Sequence, residues 1–488
     1  MYTALEIGRQ IKSGEQSVRE VVEAALKAIE TRDGAINAFI TVTDRESLLS
    51  RAAEVQQGID SGILNSPLAG VPIGIKDNIC TKDQRTTAAS KMLEHFIPPY
   101  SATAVERLEA AGMIVVGKLN LDEFAMGCTT ETSYFGPVKN PWDQSRVPGG
   151  SSGGSAAVIA AGEIPVSLGS DTGGSIRQPA SYCGVTGFKP TYGVVSRYGG
   201  IAYASSLDQI GPLGRDVADC AALLDIMKGR DPLDGTSLNL PEISYLTGLT
   251  GDIRGKRIAL PKEYFSHGTD GDIKENLLRA AETLRSLGAI VEEVSLPCID
   301  YVIPTYYILS TAEAGSNLAR FDGVKYGFRA ENTTGGIEGL YRATRGEGFG
   351  QEVQKRILLG SYVLSAGCYD AYYNKALRVK ALIKGQFDGL FENYDAILGP
   401  VTPDLAPRLG ESATDPEKRF HTDIFTAAAN LAGLPALALP CGFDRDGMPI
   451  GAQLMGQRLT DDLILNLGHA FQMATDYHKQ SPREGGAA

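Results

Sequence analysis

Two glycine- and serine-rich stretches have the composition of loops that hold a reactive hydroxyl group or bind an anion. The first, Pro148-Gly-Gly-Ser-Ser-Gly-Gly-Ser155, runs into a helix of small residues. The second, Ser170-Asp-Thr-Gly-Gly-Ser-Ile-Arg177, follows a predicted strand. Because glycine lets backbone amides approach a ligand closely, these loops could bind a phosphate or support nucleophilic attack by a serine.

The first stretch fits neither common type of such loops well. It lacks the Gly-Lys-Ser/Thr ending of a phosphate-binding loop. It matches Gly-x-Ser-x-Gly at both Ser151 and Ser152, but a hydrolase nucleophile elbow directly follows a strand and needs a downstream histidine. Residues 140–148 are typical of a loop, and a structural role is the default for each of the five histidines. These are His95, His267, His421, His469 and His478.

The second stretch offers the better nucleophile, Ser175. It can stand at the head of a short helix, with the amides of Thr172, Gly173, Gly174 and Ser175 turned inward as a nest of donors. Such a nest stabilises the oxyanion that forms during acyl transfer, and each good donor lowers the barrier by about 3 kcal/mol.

A serine nucleophile needs a base, and without a suitable histidine the substitute is a lysine kept neutral by burial. Lys76 ends the strand-like run Leu68-Ala-Gly-Val-Pro-Ile-Gly-Ile-Lys. A lysine at the end of an apolar strand is either solvated or functional, and locally the solvated alternative is favoured. Its pairing with the two serine loops reverses that preference.

The surrounding pattern predicts an α/β protein. Short apolar runs alternate with helical patterns, such as a helix at 103–111 before Met113-Ile-Val-Val and a helix at 271–287 before Ile290-Val-Glu-Glu-Val. This alternation predicts one large mixed, mostly parallel sheet with helices on both faces. We expect residues 1–60 to form an N-terminal helical arm packed on a catalytic domain at 61–488, with a long surface connection at 229–253 and one or two long helices at 349–384.

Composition limits the function further. The formal net charge of -12 would repel a phosphate backbone, so we do not expect this chain to be the main site of nucleic-acid binding. The seven cysteines include no C-x-x-C pair and are expected to be reduced and mostly buried. No apolar stretch is long enough to span a membrane. We therefore expect a cytoplasmic protein, or one of an organellar matrix if the source is eukaryotic.

The motifs together resemble those of the amidase signature family. They are the run from Gly70 to Asn78 that contains Lys76, then G-G-S-S-G-G-S at 149–155, then G-S-D-T-G-G-S-I-R at 169–177, with Ser151 and Ser175 24 residues apart. The match continues through 179–191 and Gly-Leu-Pro-Ala at 433–436. The resemblance implies the amidase signature fold, a cis peptide bond at Ser151, and catalysis by Lys76, Ser151 and Ser175 with an oxyanion hole at Thr172, Gly173 and Gly174.

Within that family, further segments resemble the glutamine-hydrolysing subunits of tRNA-dependent amidotransferases. They are 120–127, 319–327, 352–360 and 369–373. This resemblance implies glutamine as substrate, bound by Tyr307, Arg356 and Asp423, although the arginine position could fall on Lys355. One departure is Gly127-Cys-Thr-Thr-Glu131, where the family usually has G-S-S-T-E.

The resemblance also implies partners. The chain would deliver ammonia to an assembly of a tRNA-binding B subunit with a small C subunit, which amidates Glu-tRNA(Gln) or Asp-tRNA(Asn). That complex would use ATP and Mg²⁺, whereas this chain would hold no cofactor or metal and would meet tRNA mainly through its partner. The alternatives are a free-standing amidase acting on another amide and a catalytically silent scaffold subunit.

Overall fold

A computed structural model describes residues 2–266, 268–331, 334–411 and 421–482. The described residues form one sheet of 11 strands. Its strands, in chain order, are β1 (Phe39–Val42), β2 (Pro72–Lys76), β3 (Ile114–Leu119), β4 (Val166–Asp171), β5 (Thr186–Lys189), β6 (Gln209–Gly214), β7 (Arg257–Pro261), β8 (Ile290–Val294), β9 (Ala396–Pro400), β10 (Ala436–Phe443) and β11 (Pro449–Gly456).

Fourteen α-helices lie in the described part of the chain. They are α1 (Ala4–Ser13), α2 (Val18–Ile36), α3 (Arg45–Asp60), α4 (Thr103–Ala110), α5 (Gly153–Ala160), α6 (Arg177–Cys183), α7 (Val217–Met227), α8 (Gly271–Ser286), α9 (Ile299–Asn317), α10 (Gly336–Gly348), α11 (Gln351–Val363), α12 (Lys375–Phe391), α13 (Ala427–Ala432) and α14 (Asp461–Ala474). No described helix is long and apolar enough to cross a membrane.

The sheet is buried on both faces, as the alternating side chains of its strands show. In β3, Val115 belongs to a hydrophobic cluster that also contains residues of α4, α7, α8 and α14, whereas Ile114 and Val116 belong to the cluster of the other face, with residues of α2, α3 and α5. In the other half of the sheet, Ala259 of β7 belongs to a third cluster, with residues of α9, α11 and α12. The prediction of an α/β fold with helices on both faces is therefore confirmed.

The strand directions differ from the prediction. The order is β1-β3-β2-β4-β6-β5-β10-β11-β9-β7-β8. Two groups are parallel, β3-β2-β4 and β9-β7-β8, while the six other neighbouring pairs of the described strands are antiparallel. The sheet is mixed as expected, but the expectation of mostly parallel pairing is wrong. A strand buried on both faces has a continuous apolar run in either direction, so its sequence does not reveal the direction of its neighbour.

The N-terminal segment is more than a helical arm. Capping boxes start its first two helices, with Thr3 and Glu6 at α1 and Ser17 and Glu20 at α2. Between α2 and α3, however, strand β1 pairs antiparallel with β3 at the edge of the sheet. This strand was missed because only four residues form it. The segment thus shares the main sheet and its hydrophobic core.

Other expected elements are in place. No helix or strand lies between Met227 and Arg257, in agreement with the predicted surface connection. The long helical region at 349–384 is α11 and α12, joined through a short π-helix at Tyr369–Asn374. The seven cysteines lie within the described residues and form no disulfide, and six of them are buried.

Candidate active site

The candidate catalytic residues meet where two neighbouring parallel strands end. Lys76 is the last residue of β2 and Asp171 the last of β4, and the two strands pair in register at Ile75 and Leu168. Carboxyl ends of adjacent parallel strands lie at one edge of the sheet, which is where ligands of α/β proteins usually bind. The chain then turns into the loop that carries Ser175.

Lys76 is fully buried, which excludes the solvated alternative. Its Nζ lies 2.7 Å from Oγ of Ser151, 2.9 Å from Oγ of Ser170 and 3.2 Å from the carbonyl oxygen of Ser170. Burial lowers the pKa of Lys76 to about 7, and nearby carboxylates oppose that shift. Near neutral pH the amine therefore has a substantial neutral fraction, which has a lone pair available to accept a proton.

Hydrogen bonds join the two serine loops. The Ser152 amide donates to the Ser175 carbonyl oxygen at 3.1 Å, and the Ser152 hydroxyl lies 3.1 Å from the Ser170 carbonyl oxygen. The peptide bond between Gly150 and Ser151 is cis, the geometry that the family resemblance implied. Ser151 is fully buried and Ser175 is 8% exposed, so both hydroxyls lie in a largely desolvated site.

The predicted donor nest is present and open. Among the described residues, no group accepts a hydrogen bond from the amides of Gly173, Gly174 or Ser175. A Cβ at Gly173 would lie 2.5 Å from the Tyr306 ring, and one at Gly174, whose φ is +150°, would lie 2.3 Å from the Thr426 hydroxyl. Only glycine fits this turn, and its bare backbone leaves these amides available to an oxyanion.

A buried ion pair closes the loop that carries Ser175. The Arg177 guanidinium contacts the Asp171 carboxylate at 3.0 and 3.1 Å, and that carboxylate also accepts the Ile176 amide. Burial alone would raise the pKa of Asp171, but Arg177 reverses this and brings it to about 2. Arg177 also donates to the side chains of Asn430 and Gln453, which tie the loop to α13 and β11. The pair therefore holds the start and the end of the loop at a fixed separation.

Arg356 lies on the face of α11 that packs inward and is 6% exposed, whereas the neighbouring Lys355 is exposed. Its Nε donates to Glu352 at 2.9 Å and its Nη1 donates to the Tyr203 hydroxyl at 2.7 Å. The guanidinium lies 5.5 Å from the ring centres of both Tyr203 and Tyr307. No described group accepts a hydrogen bond from Nη2, so this side of the guanidinium is available to bind a carboxylate.

Asp423 borders the nest, since a Cβ at Gly174 would lie 3.4 Å from its Oδ1. The described residues supply no hydrogen-bond donor to its carboxylate. Burial raises the pKa of Asp423 to about 7, an effect that Arg356 opposes. Burial also raises the pKa of Tyr307 well above its ordinary value, and Asp423 adds to that rise. Asp423 thus lies beside the open amides, and Arg356 and Tyr307 are close enough to Asp423 to interact with it electrostatically.

No group of three His, Cys, Asp or Glu side chains within the described ranges has a geometry that could hold a metal ion. None of the four histidines in those ranges bonds to either serine, and His267 lies outside them. Cys128 is buried, and its carbonyl oxygen accepts a hydrogen bond from Gln178 at 2.9 Å. The reactive groups that the structure brings together around Lys76 are its own amine and the hydroxyl groups of Ser151 and Ser170.

Comparison with known proteins assigns this arrangement to a family. The family model described as Amidase matches residues 20–465. The chain belongs to the amidase family. It is 53% identical to the A subunit of the glutamyl-tRNA(Gln) amidotransferase of Agathobacter rectalis, over 99% of this chain and 95% of that protein.

Solved amidase structures agree. The crystal structure of the glutamyl-tRNA(Gln) amidotransferase A subunit from Thermotoga maritima is 42% identical, covers 95% of this chain and 92% of its own, and has a TM-score of 0.79. The peptide amidase of Stenotrophomonas maltophilia is 29% identical with a TM-score of 0.81, over 99% and 97% of the two chains. An amidotransferase subunit and a peptide amidase therefore share this fold, so the fold alone does not determine the substrate.

Several residues of this amidase site were not identified from the sequence. Ser170 contacts the Lys76 amine, and Asn78 donates to the Ser170 hydroxyl at 2.9 Å. Asp122 accepts the Thr130 amide at 3.0 Å, and its own amide donates to the Ser151 carbonyl oxygen. Ser170 and Asn78 lie within the motifs that contain Ser175 and Lys76, so their closeness in sequence to these two residues could have indicated a role in the site.

Tyr203 and Asp208 were also missed. Asp208 accepts the Thr172 hydroxyl at 2.7 Å and the Tyr203 amide at 2.9 Å, and the Tyr203 hydroxyl accepts from Arg356. They connect the oxyanion nest with Arg356, the residue expected to act as a clamp on the carboxylate of the substrate. No sequence pattern marked them, because their partners lie far away along the chain.

Proposed function

We propose that this chain hydrolyses the side-chain amide of glutamine, with Ser175 as nucleophile, Ser151 as proton relay and Lys76 as base. The observation that carries the proposal is the pairing of a fully buried amine with the Ser151 hydroxyl at 2.7 Å, directly beside the loop of Ser175. An open nest of backbone amides in that loop supplies the oxyanion hole.

In the first half of the reaction, the Ser175 hydroxyl transfers its proton to Ser151 as Ser151 gives its own proton to neutral Lys76. The Ser175 oxygen attacks the amide carbon, and the carbonyl oxygen becomes an oxyanion held by the nest at 172–175. The proton returns through Ser151 to the amide nitrogen, the C–N bond breaks, and ammonia leaves.

In the second half, a water molecule takes the place of ammonia. It gives a proton through Ser151 to Lys76 and attacks the γ-glutamyl ester of Ser175. The oxyanion forms again in the same nest, and its collapse breaks the ester bond. Glutamate is released and Ser175 recovers its proton, so Lys76 is neutral at the start and at the end.

Recognition of a free amino acid follows from the charges beside the nest. Glutamine carries an α-carboxylate, for which Arg356 has an open guanidinium edge, and an α-ammonium, for which Asp423 has a carboxylate without a donor. Tyr307 lies against the same guanidinium. A simple aliphatic amide offers neither charge, so these residues would select an amino acid.

By its likeness to the A subunits of glutamyl-tRNA(Gln) amidotransferases, we infer that the chain works in a complex. The released ammonia would pass to a larger B subunit that binds the misacylated tRNA, Glu-tRNA(Gln) or Asp-tRNA(Asn), with a small C subunit completing the assembly. ATP and Mg²⁺ would serve the larger partner. The net charge of -12 supports a division of labour in which tRNA is held mainly by the partner.

Covalent trapping tests the assignment of the nucleophile. A glutamine analogue with an electrophilic side chain should modify Ser175, as peptide mass mapping would show, and the Ser175→Ala variant should stay unmodified. The Cys128→Ser variant is the matched control and should be labelled like the wild type. An adduct on Ser151 or Cys128 would reverse the assignment.

Substrate comparison separates the glutaminase from a free-standing amidase. With partner subunits present, glutamine should be hydrolysed far more efficiently than propionamide, and Asp423→Asn should weaken only glutamine. Equal efficiency with both substrates would identify a general amidase. Absence of any turnover in the assembled complex would instead indicate a scaffold role.

A further inference from the structure

A buried carboxyl group contacts the start of the helix that carries Arg356. Glu123 lies in a short turn after β3 and is 3% exposed. One of its oxygens accepts the Gly350 amide at 2.8 Å, and the other accepts the Ser90 hydroxyl. Gly350 is the N-cap residue of α11. Glu123 therefore fixes the point at which this helix begins.

The next residue adds an apolar contact at the same place. The ring centre of the buried Phe124 lies 5.6 Å from that of Phe349, which directly precedes Gly350. Phe124 and Ala125 have a left-handed backbone, with φ of +50° and +60°. For residues other than glycine this conformation is unfavourable, persists only where the surroundings enforce it and is frequent at functional sites. The turn thus presents Glu123 and Phe124 to the start of α11 in an unfavourable backbone shape.

The residue before Glu123 ties the same turn to the loop of Ser151. The Asp122 amide donates to the Ser151 carbonyl oxygen at 3.2 Å, and the Asp122 carboxylate accepts the Thr130 amide at 3.0 Å. A Cβ at Gly150, which directly precedes Ser151, would overlap this carboxylate, so the two groups are in direct contact. Residues 122 and 123 therefore join the loop of Ser151 to the start of α11.

This connection sets a distance that the proposed substrate would have to match. In the proposed reaction the side-chain amide of glutamine meets Ser175 while its α-carboxylate meets Arg356. Arg356 lies six residues beyond Gly350, about 9 Å along the helix axis. A displaced helix start would therefore shift the guanidinium relative to the nucleophile, and a misplacement of about 1 Å can cost about a hundredfold in rate.

We propose that Glu123 is a positioning residue that sets the separation of Arg356 from Ser175, and that this separation selects glutamine over asparagine. The inference rests on the proposed function, because it takes Arg356 as the group that binds the α-carboxylate. Asparagine has one methylene group fewer, so its carboxylate would stop about one bond length short when its amide is in place. Glu123 acts through α11 and is not assigned a contact with the substrate.

The contact with α11 requires an acceptor and not a full charge. Burial raises the pKa of Glu123 to about 7, and the hydrogen bonds from Ser90 and Gly350 oppose this rise. Near neutral pH the acid and the carboxylate therefore coexist, and either form can accept the Gly350 amide. A glutamine side chain at position 123 offers the same acceptor.

Steady-state kinetics with glutamine, asparagine and propionamide, with partner subunits present, test the proposal. Glu123→Ala should lower the ratio of kcat/KM for glutamine to that for asparagine about tenfold, through a higher KM for glutamine, and leave propionamide unchanged. Glu123→Gln should keep the wild-type ratio within about threefold. Glu347→Ala, which removes an exposed carboxyl group three positions before Gly350, is the matched control and should behave as the wild type.

A second variant tests the same contact from the helix. Gly350 has a φ of -70°, which suits alanine, but its Cβ would overlap a carboxyl oxygen of Glu123. Gly350→Ala should therefore also lower the ratio about tenfold, and it should add no further loss to Glu123→Ala because both changes break one contact. Thermal unfolding shows which variants fold, and Gly350→Ala alone decides if Glu123→Ala does not.

The outcomes separate this inference from the proposed function. An unchanged ratio in a folded Glu123→Ala or Gly350→Ala variant would overturn the inference. An equal loss with all three substrates would overturn it as well, because Glu123 would then support the fold without selecting the substrate. A wild-type chain that hydrolyses glutamine no better than propionamide would instead refute the proposed function.

Discussion

Removing the Arg356 guanidinium should weaken glutamine binding more than it slows the chemistry. The open Nη2 edge can donate charge-assisted hydrogen bonds to the α-carboxylate, and losing a hydrogen bond to a charged group costs about 1.5–3 kcal/mol. At 1.4 kcal/mol per tenfold change, this corresponds to a rise in KM of about 10- to 100-fold. Since the contact exists before and during the reaction, kcat should fall less.

The design must separate substrate binding from folding. Arg356 is paired with Glu352 at 2.9 Å, and both side chains are less than a tenth exposed. Removing one partner of a buried pair can cost about 3–5 kcal/mol of stability. Arg356→Gln should therefore be compared with the double variant Arg356→Gln/Glu352→Gln, which leaves no buried charge behind. Lys355→Gln, on the exposed side of α11, is the matched control.

Steady-state kinetics with glutamine and propionamide, with partner subunits present, give the result. Both Arg356 variants should show the raised KM for glutamine and unchanged kinetics with propionamide, and Lys355→Gln should behave as the wild type. A KM for glutamine that stays within twofold of the wild-type value in a folded variant would refute the clamp. An equal rise in KM for propionamide would show that Arg356 shapes the pocket and does not bind the carboxylate of glutamine.

Three further predictions concern the base, the loop and nucleic acid. Lys76→Arg should lose more than nine-tenths of the glutaminase rate, because a guanidinium cannot accept the proton, and wild-type kcat/KM should rise with pH through about 7 as the amine becomes neutral. Gly174→Ala should lower the glutaminase activity at least 100-fold in a chain that still folds, because its Cβ would lie 2.3 Å from the Thr426 hydroxyl and displace the amides that bind the oxyanion. A normal kcat in this variant would show that these amides are not the oxyanion hole. The isolated chain should bind tRNA weakly in a filter-binding assay at physiological salt, and sub-micromolar affinity would contradict the inference from its acidity.

Sequence alone predicted those parts of the fold that local patterns encode. Helices α1 and α2 begin where polar residues can cap them, and strand β8 lies at the residues where it was expected. Strand β1 was missed because four residues give too little periodicity, and the antiparallel pairings were missed because burial on both faces hides direction. Local pattern thus specifies elements, whereas pairing depends on contacts between distant segments.

The candidate site divides in the same way. Lys76, Ser151, Ser175 and the nest all fall within about a hundred residues of sequence, and their motifs identify them. The groups that would recognise the substrate come from α9, α11 and the residues before α13, so only the resemblance to a family pointed to them. Arg356 and Tyr203, which bond directly, are 153 residues apart.

These two sets of residues are physically connected through the half-buried carboxylate of Asp208. Asp208 holds the Thr172 hydroxyl of the nest and the Tyr203 amide, while the Tyr203 hydroxyl orients the Arg356 guanidinium. A shift of the guanidinium can therefore reach the nest through only two side chains. Because hydrogen-bond networks in a low-dielectric interior are strongly coupled, replacing the clamp to suit a different amide should require adjustment at Tyr203 and Asp208 as well. We therefore expect the substrate preference of this chain to depend on Tyr203 and Asp208 as well as on the side chains that would contact the substrate.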